Sequence, residues 1–266
     1  MKKISLILTA AFLFILAACS SPQSAPQEAD TQTPGAHESV ELMVLAAASL
    51  TDALNSLKSS YELNHPGVKL TYSFGSSGKL AQQIEQGAPA DLFLSASQAD
   101  MNTLDEKQLI LPDTRVDFSG NALALITAKE SNVAISSFEE LNDASLQHIA
   151  AGAPESVPAG RYTKEVLENL KIWDSLSDRL VFGSDVRQVL TFVEAGNAEV
   201  GVVYSSDAAT SEKVKVLAEA KEDLHGPIVY PGAVVRDSAH VEAAKEFLSY
   251  LTSEEGKKVL REYGFR

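Results

Sequence analysis

Cysteine is all but absent from this chain. The single Cys19 excludes an intrachain disulfide and any metal cluster built on thiolates. The five histidines, at 37, 65, 148, 225 and 240, show no His-x3-His or His-x-His pairing, so their spacing offers no metal site. Basic side chains are scarce too: 22 Lys and Arg stand against 36 Asp and Glu, a net charge of −14. Nucleic acid is excluded as a partner on that ground, because its phosphates are held by clustered Lys and Arg. At first sight the same balance argues against any anionic ligand. No Gly-Lys-Ser/Thr triplet occurs, so there is no P-loop, and no internal repeat of fixed period is present. What is present is globular in composition, 45% hydrophobic and 22% charged over 266 residues. That length suits one large or two small domains with ample core.

The N-terminus reads as a targeting segment, residues 1–18. Lys2 and Lys3 precede an apolar run from Ile4 to Ala18, broken only by Ser5 and Thr9. This is a signal peptide's charged and apolar regions in order, too short to span a bilayer comfortably. The run ends Leu16-Ala17-Ala18-Cys19, and small residues before the only Cys resemble the bacterial lipobox. There the Cys carries the lipid and becomes the new N-terminus; the plainer alternative is an ordinary signal peptide with Cys19 incidental. Removal of Lys2 and Lys3 takes the net charge from −14 to −16. Residues 19–39 hold Pro, Ser, Thr and Gln and no large apolar side chain. Such a stretch buries too little surface to offset ordering, so it is expected as a flexible tether between a lipid and a soluble domain.

From residue 40 onward strands and helices alternate, which indicates an α/β protein with largely parallel sheets. Val40 to Ala47 reads as a buried strand, and Leu50, Ala53, Leu54, Leu57 and Tyr61 recur at helical spacing. Val68, Leu70, Tyr72 and Phe74 alternate as a strand. Gly75 to Gly78 reads as a tight turn before a helix, and Asp91 to Ala96 as a third strand. Ser97-x-x-Asp100 has the spacing of a capping box. Later strands are expected at 122–127, 148–151, 200–204, 214–217 and 228–235. Helices are expected at 159–170, after Asp185, and over 241–251 and 254–263.

In open α/β sheets ligands bind beyond the carboxyl ends of the strands, where helix N-termini present free N–H groups. Small or hydroxyl residues stand at several such turns: Ser49, Ser76 and Ser77, Ala159-Gly160, and Asp185-Val186. They let an ion approach the backbone and add donors without charge. Each turn alone is equally well an ordinary N-cap or loop. A rival reading is a serine hydrolase built on Ser76-x-x-Lys79, but Ser-Asp-Asn and Lys-Thr-Gly are absent. An enzyme is therefore not expected.

Several stretches resemble one family, the periplasmic or lipid-anchored molybdate-binding proteins of ABC importers. They are Ala46 to Ala53 (AAASLTDA), Phe74 to Ala81 (FGSSGKLA), Gln86 to Ala96 (QGAPADLFLSA), Val157 to Tyr162 (VPAGRY), Asp185 to Arg187, and Gly201 to Ala208 (GVVYSSDA). They run in the family's order over 40–266. The resemblance implies a two-lobed type II periplasmic-binding-protein fold with mixed, mostly parallel sheets and a cleft between the lobes. Lobe 1 would be 40–119 plus 207–266, and lobe 2 would be 120–206. It implies that Ser49 and Ser77 donate from hydroxyl and backbone N–H, Ala159 and Val186 from backbone N–H, and Tyr204 from its phenol. Molybdenum would enter only as the oxyanion, molybdate or tungstate, with no other cofactor. The implied partners are an ABC permease and, through Cys19, a membrane, for an extracytoplasmic monomer. None of the five residues is charged. A cleft of donors prefers a fully deprotonated oxyanion over phosphate, which carries a proton near neutral pH and needs an acceptor. Sulfate or a small carboxylate is the alternative ligand; a carboxylate would call on an arginine, and Arg161 and Arg187 lie close by in sequence.

Overall fold

The apolar run VELMVLAA forms β1 (Val40–Ala47) and is buried on both faces. Val44 and Ala46 enter one hydrophobic cluster while Leu45 enters a second on the other side of the sheet. A strand covered on both faces reads as a continuous apolar run rather than an alternating one. β1 anchors a computed structural model that describes residues 39–266, which fall within one compact unit, Glu38–Arg266. The targeting segment 1–18, Cys19 and the tether up to residue 38 lie outside the described residues.

β1 is followed by a 3-10 turn (Ala48–Leu50) and α1 (Thr51–Asn64), then β2 (Val68–Gly75), α2 (Ser77–Glu85), β3 (Leu92–Leu94) and α3 (Gln98–Glu106). β4 (Val116–Gly120) leads directly to β5 (Leu123–Ala128) and β6 (Ile149–Gly152). Next come α4 (Pro158–Asn169), α5 (Trp173–Leu176), β7 (Leu180–Gly183) and α6 (Val186–Glu194). β8 (Val200–Tyr204), α7 (Ser205–Ala209), β9 (Val214–Glu219), β10 (Val229–Val234), α8 (Val241–Thr252) and α9 (Glu254–Glu262) complete the chain.

The strands form two five-stranded sheets, in the orders β2-β1-β3-β10-β4 and β7-β6-β8-β5-β9. Both sheets repeat one pattern of directions: three parallel strands, then an antiparallel one, then an edge strand antiparallel to that. The α/β class with two mixed sheets is as expected: four strands of each sheet share one direction, and β10 and β5 run antiparallel to both neighbours. These are the strands by which the chain enters each sheet from the other.

The chain crosses from the first sheet to the second between β4 and β5. The return is later than 206/207, because β9 pairs with β5 in the second sheet over Ala124↔Glu219 to Ala128↔Val214. The crossing back lies between β9 and β10. The turn expected at 75–78 is also revised: β2 runs to Gly75, Ser76 caps, and α2 begins at Ser77.

Several sequence signals find their partners. Asp185 caps α6 by accepting from the Gln188 N–H. Gly87 and Gly196, with φ of 83° and 72°, stop α2 and α6. Ser97 caps α3 through the Ala99 N–H, but Asp100 does not close a capping box and instead pairs with Arg161 of α4. Asp91, in the GAPADLF stretch, ties the first sheet together by accepting from the Met43 N–H at 2.8 Å and the Ser238 hydroxyl at 2.6 Å.

Candidate functional site

Strands β1, β2, β3, β6, β7 and β8 all end at one small cavity. The residues that follow them form its wall: Ser49 after β1, Ser76 and Ser77 after β2, Ala96 after β3, Ala159 and Val186 at helix starts, and Tyr204 at the end of β8. The cavity has a volume of about 200 Å³. Such a site suits one compact ligand and excludes a sugar or peptide.

The N-termini of α2, α4 and α6 meet at this point, bringing unpaired N–H groups and the positive ends of three dipoles. Pro158 takes the first position of α4, where its missing N–H is no loss, so Ala159 presents that helix's first donor. A Cβ on Gly160 would lie 2.1 Å from the Gly152 carbonyl oxygen, so only glycine lets α4 start hard against the end of β6. Val186 is the first residue of α6.

The hydroxyls are held as donors. Ser77 Oγ accepts from the Ala96 N–H at 2.9 Å, leaving its own hydrogen available. Ser49 Oγ lies 2.9 Å from Tyr230 Oη. Tyr204 is 1% exposed, and its phenol oxygen, like Ser76 Oγ, is buried without a hydrogen-bond partner. An orphaned buried hydroxyl is costly unless a ligand satisfies it. Burial holds the phenols of Tyr204 and Tyr230 well above their ordinary ionisation range, so both remain protonated at neutral pH.

Arg161 and Arg187 are both engaged by carboxylates. Arg161 Nη2 pairs with Asp100, and Arg187 Nη2 pairs with Asp52. Arg187 Nε also lies 2.9 Å from Oδ1 of the fully buried Asp207, and its Nη1 donates to Thr210 Oγ1 at 3.2 Å. Burial pushes the Asp207 carboxyl up to about 7, and the Arg187 charge beside it opposes that rise. Arg161 and Arg187 belong to the second sheet's helices, Asp100 and Asp52 to the first's, so each pair bridges the two halves. A third bridge joins backbones: the Gly78 N–H donates to the Ser156 carbonyl at 3.0 Å.

All five residues expected at the site, Ser49, Ser77, Ala159, Val186 and Tyr204, line this cavity, and Ser76 joins them. The hydrolase arrangement does not form: Ser76 Oγ has no partner and the Lys79 side chain is exposed. The sequence reading missed Tyr230 and Asn121, which stand behind Ser49 and carry no motif. It had no signal for them, because Tyr230 is 181 positions away in the chain.

Two matched sheets joined by two crossings, with helix N-termini and neutral hydroxyls around a small cavity, are the architecture of a solute-binding protein. Residues 42–266 match the family model described as bacterial extracellular solute-binding protein, and the chain belongs to that family. YvgL of Bacillus subtilis, provisionally named an ABC transporter substrate-binding lipoprotein, is 43% identical over 99% of this chain and 98% of its own. The molybdate-binding protein ModA of Haemophilus influenzae is 42% identical over 85% of this chain and 90% of its own. The solved periplasmic molybdate-binding protein of Azotobacter vinelandii is 25% identical, with a TM-score of 0.78 over 85% of this chain and 98% of that one.

Proposed function

We propose that this chain captures molybdate, and tungstate with it, in the cavity between the two sheets and delivers it to the permease of an ABC importer. The observation that carries the reading is the convergence of donors on one small void: three helix N-termini, the Ser77 hydroxyl with its hydrogen free, the Ser49 and Ser76 hydroxyls, and an orphaned buried phenol. No carboxylate oxygen and no free cation is needed there. In this reading Ser49, Ser77, Ala159, Val186 and Tyr204 hold the four oxygens, and molybdenum enters only as the centre of the oxyanion. The molybdate-binding relatives support the choice of ligand.

A small-carboxylate ligand is not favoured, because Arg161 and Arg187 are already paired with aspartates. The two lobes are drawn along the sheets, with the crossings near 121–122 and 220–228 as hinges. Cys19 carries the lipid that keeps this monomeric binding protein at the outer membrane face, and mass spectrometry of the membrane-extracted N-terminus tests that step.

The function is tested by thermal denaturation of the purified protein with molybdate, tungstate, sulfate and phosphate, followed by calorimetric titration. A ligand that binds only the native state at a hundred times its Kd stabilises by about 2.7 kcal/mol. Molybdate and tungstate should raise the melting temperature while phosphate leaves it unchanged. A rise with sulfate and none with molybdate would sink the assignment.

A further inference from the structure

Behind Ser49 lies a chain of hydrogen bonds whose direction can be worked out atom by atom. Tyr230 Oη is 2.9 Å from Ser49 Oγ and 3.3 Å from Asn121 Nδ2. Asn121, 8% exposed, stands at the first crossing between the sheets. Its Oδ1 accepts from the Ala122 N–H at 2.9 Å and the Ser206 N–H at 3.4 Å. A backbone N–H can only donate, so the amide oxygen is fixed on that side and the amide nitrogen on the other. That nitrogen also can only donate, to Ser206 Oγ at 2.8 Å and to Tyr230 Oη. The phenol oxygen therefore accepts from Asn121, and because Ser49 Oγ is its one other hydrogen-bond partner among the described residues, its own hydrogen has only Ser49 Oγ to go to. Ser49 in turn accepts, and its hydrogen is left for the cavity.

We propose that Asn121 and Tyr230 are positioning residues that lock Ser49 as a donor to the bound anion, and that this fixed polarity weighs against oxyanions carrying a proton. The proposal rests on the oxyanion reading above. Ser77 is set the same way by the Ala96 N–H, so two of the three serine oxygens at the cavity are already engaged as acceptors, and Ser76 Oγ alone is not. Hydrogen phosphate and hydrogen arsenate need an acceptor for their proton, and Ser49 Oγ and Ser77 Oγ are poorly placed to be one. A chain of donors that ends at the anion also strengthens its last bond, because each link polarises the next.

The test is a double-mutant cycle on the full-length protein, with molybdate affinity read by calorimetry. Tyr230→Phe keeps the ring that packs edge-on against Phe118, Tyr204 and Phe265. It should weaken molybdate binding by up to about tenfold, the scale of one hydrogen bond between neutral groups. In a Ser49→Ala background the same change should shift Kd by less than about twofold, since Tyr230 then has nothing to orient. Tyr230→Phe should also narrow the margin of molybdate over phosphate. Equal losses in both backgrounds would show that Tyr230 serves only the fold and would overturn the proposal, as would an unchanged Kd for Tyr230→Phe. Should that variant fail to fold, 3-fluorotyrosine at position 230 takes its place in the cycle. An altered affinity that vanishes with Ser49→Ala supports the relay, and an unaltered one overturns it. If the unaltered protein binds none of the oxyanions, both the function and the relay fall; if it binds and the cycle is additive, only the relay does.

Discussion

At the scale of single residues, a strongly acidic chain presents a site of neutral donors. Asp185 on the cavity wall is turned to the Gln188 N–H as the cap of α6, and Asp52, Asp100 and Asp207 nearby are matched to Arg187 and Arg161, so their charge is offset locally. Tyr204 brings to the cavity wall a buried phenol that has no partner of its own. Tyr204→Phe should weaken molybdate binding by about tenfold to a hundredfold, the worth of one hydrogen bond to a charged group, and leave the melting temperature of the ligand-free protein unchanged. Calorimetry alongside a thermal melt checks both. Asp207 yields a second outcome. Its carboxyl is pushed up to about 7 from an ordinary 3.8, so between those values the folded chain holds a proton that the unfolded chain has lost. Stability therefore falls as pH rises from about 4 to about 7 and levels off above. Asp207→Asn should flatten that slope in urea unfolding across the same range; an identical slope would place the effect elsewhere.

At the scale of elements, much of the architecture was legible. β1, α1, α4, α6 and β8 follow from long apolar runs, helical spacing and end signals such as Asp185 and Gly196. What escaped was short or half-exposed. β7 is four residues with one buried, β4 mixes Asp, Ser and Gly with two apolar residues, and α5 and α7 are too short to show a period. The start of α2 was misread because Ser76-Ser77-Gly78 has turn composition, while its conformation is set by packing across the cleft. A Cβ on Gly78 would lie 2.6 Å from the Ser156 carbonyl oxygen, which its N–H already contacts. Gly78→Ala should therefore hold the two sides apart and weaken molybdate binding at least severalfold, with a faster release rate and an unchanged circular-dichroism spectrum. Stopped-flow release measurements test this, and an unaltered release rate would contradict it.

At the scale of the whole molecule, two sheets of the same directional pattern are joined by two crossings, with no repeat in sequence to announce the likeness. The halves are clasped beside the cavity by Arg161–Asp100 and Arg187–Asp52. Partly exposed ion pairs are individually worth about 1 kcal/mol or less, so each should tune closure rather than decide it. Asp52→Asn and Asp100→Asn together should speed molybdate release severalfold, with a smaller effect in high salt, where the pairs are already screened. Release measured at two ionic strengths checks this; equal rates for variant and unaltered protein at low salt would remove the clasps from the closing mechanism.

The sequence by itself determined the α/β class, most helix and strand positions, and the five candidate ligands by their resemblance to a family. Those properties are local: they depend on apolar period, on caps, and on small residues at strand ends. Only the tertiary structure decided the sheet order, the late return of the chain after β9, and which partners each polar group finds. Asn121, Tyr230 and Ser49 meet only because the crossings bring the start of β10 to the end of the first sheet at which β1 finishes. The direction of the protons between them depends on backbone N–H groups of Ala122 and Ser206 that no local pattern reveals. Hydrogen-bond polarity is a property of the assembled network, so it was settled only when the chain had folded.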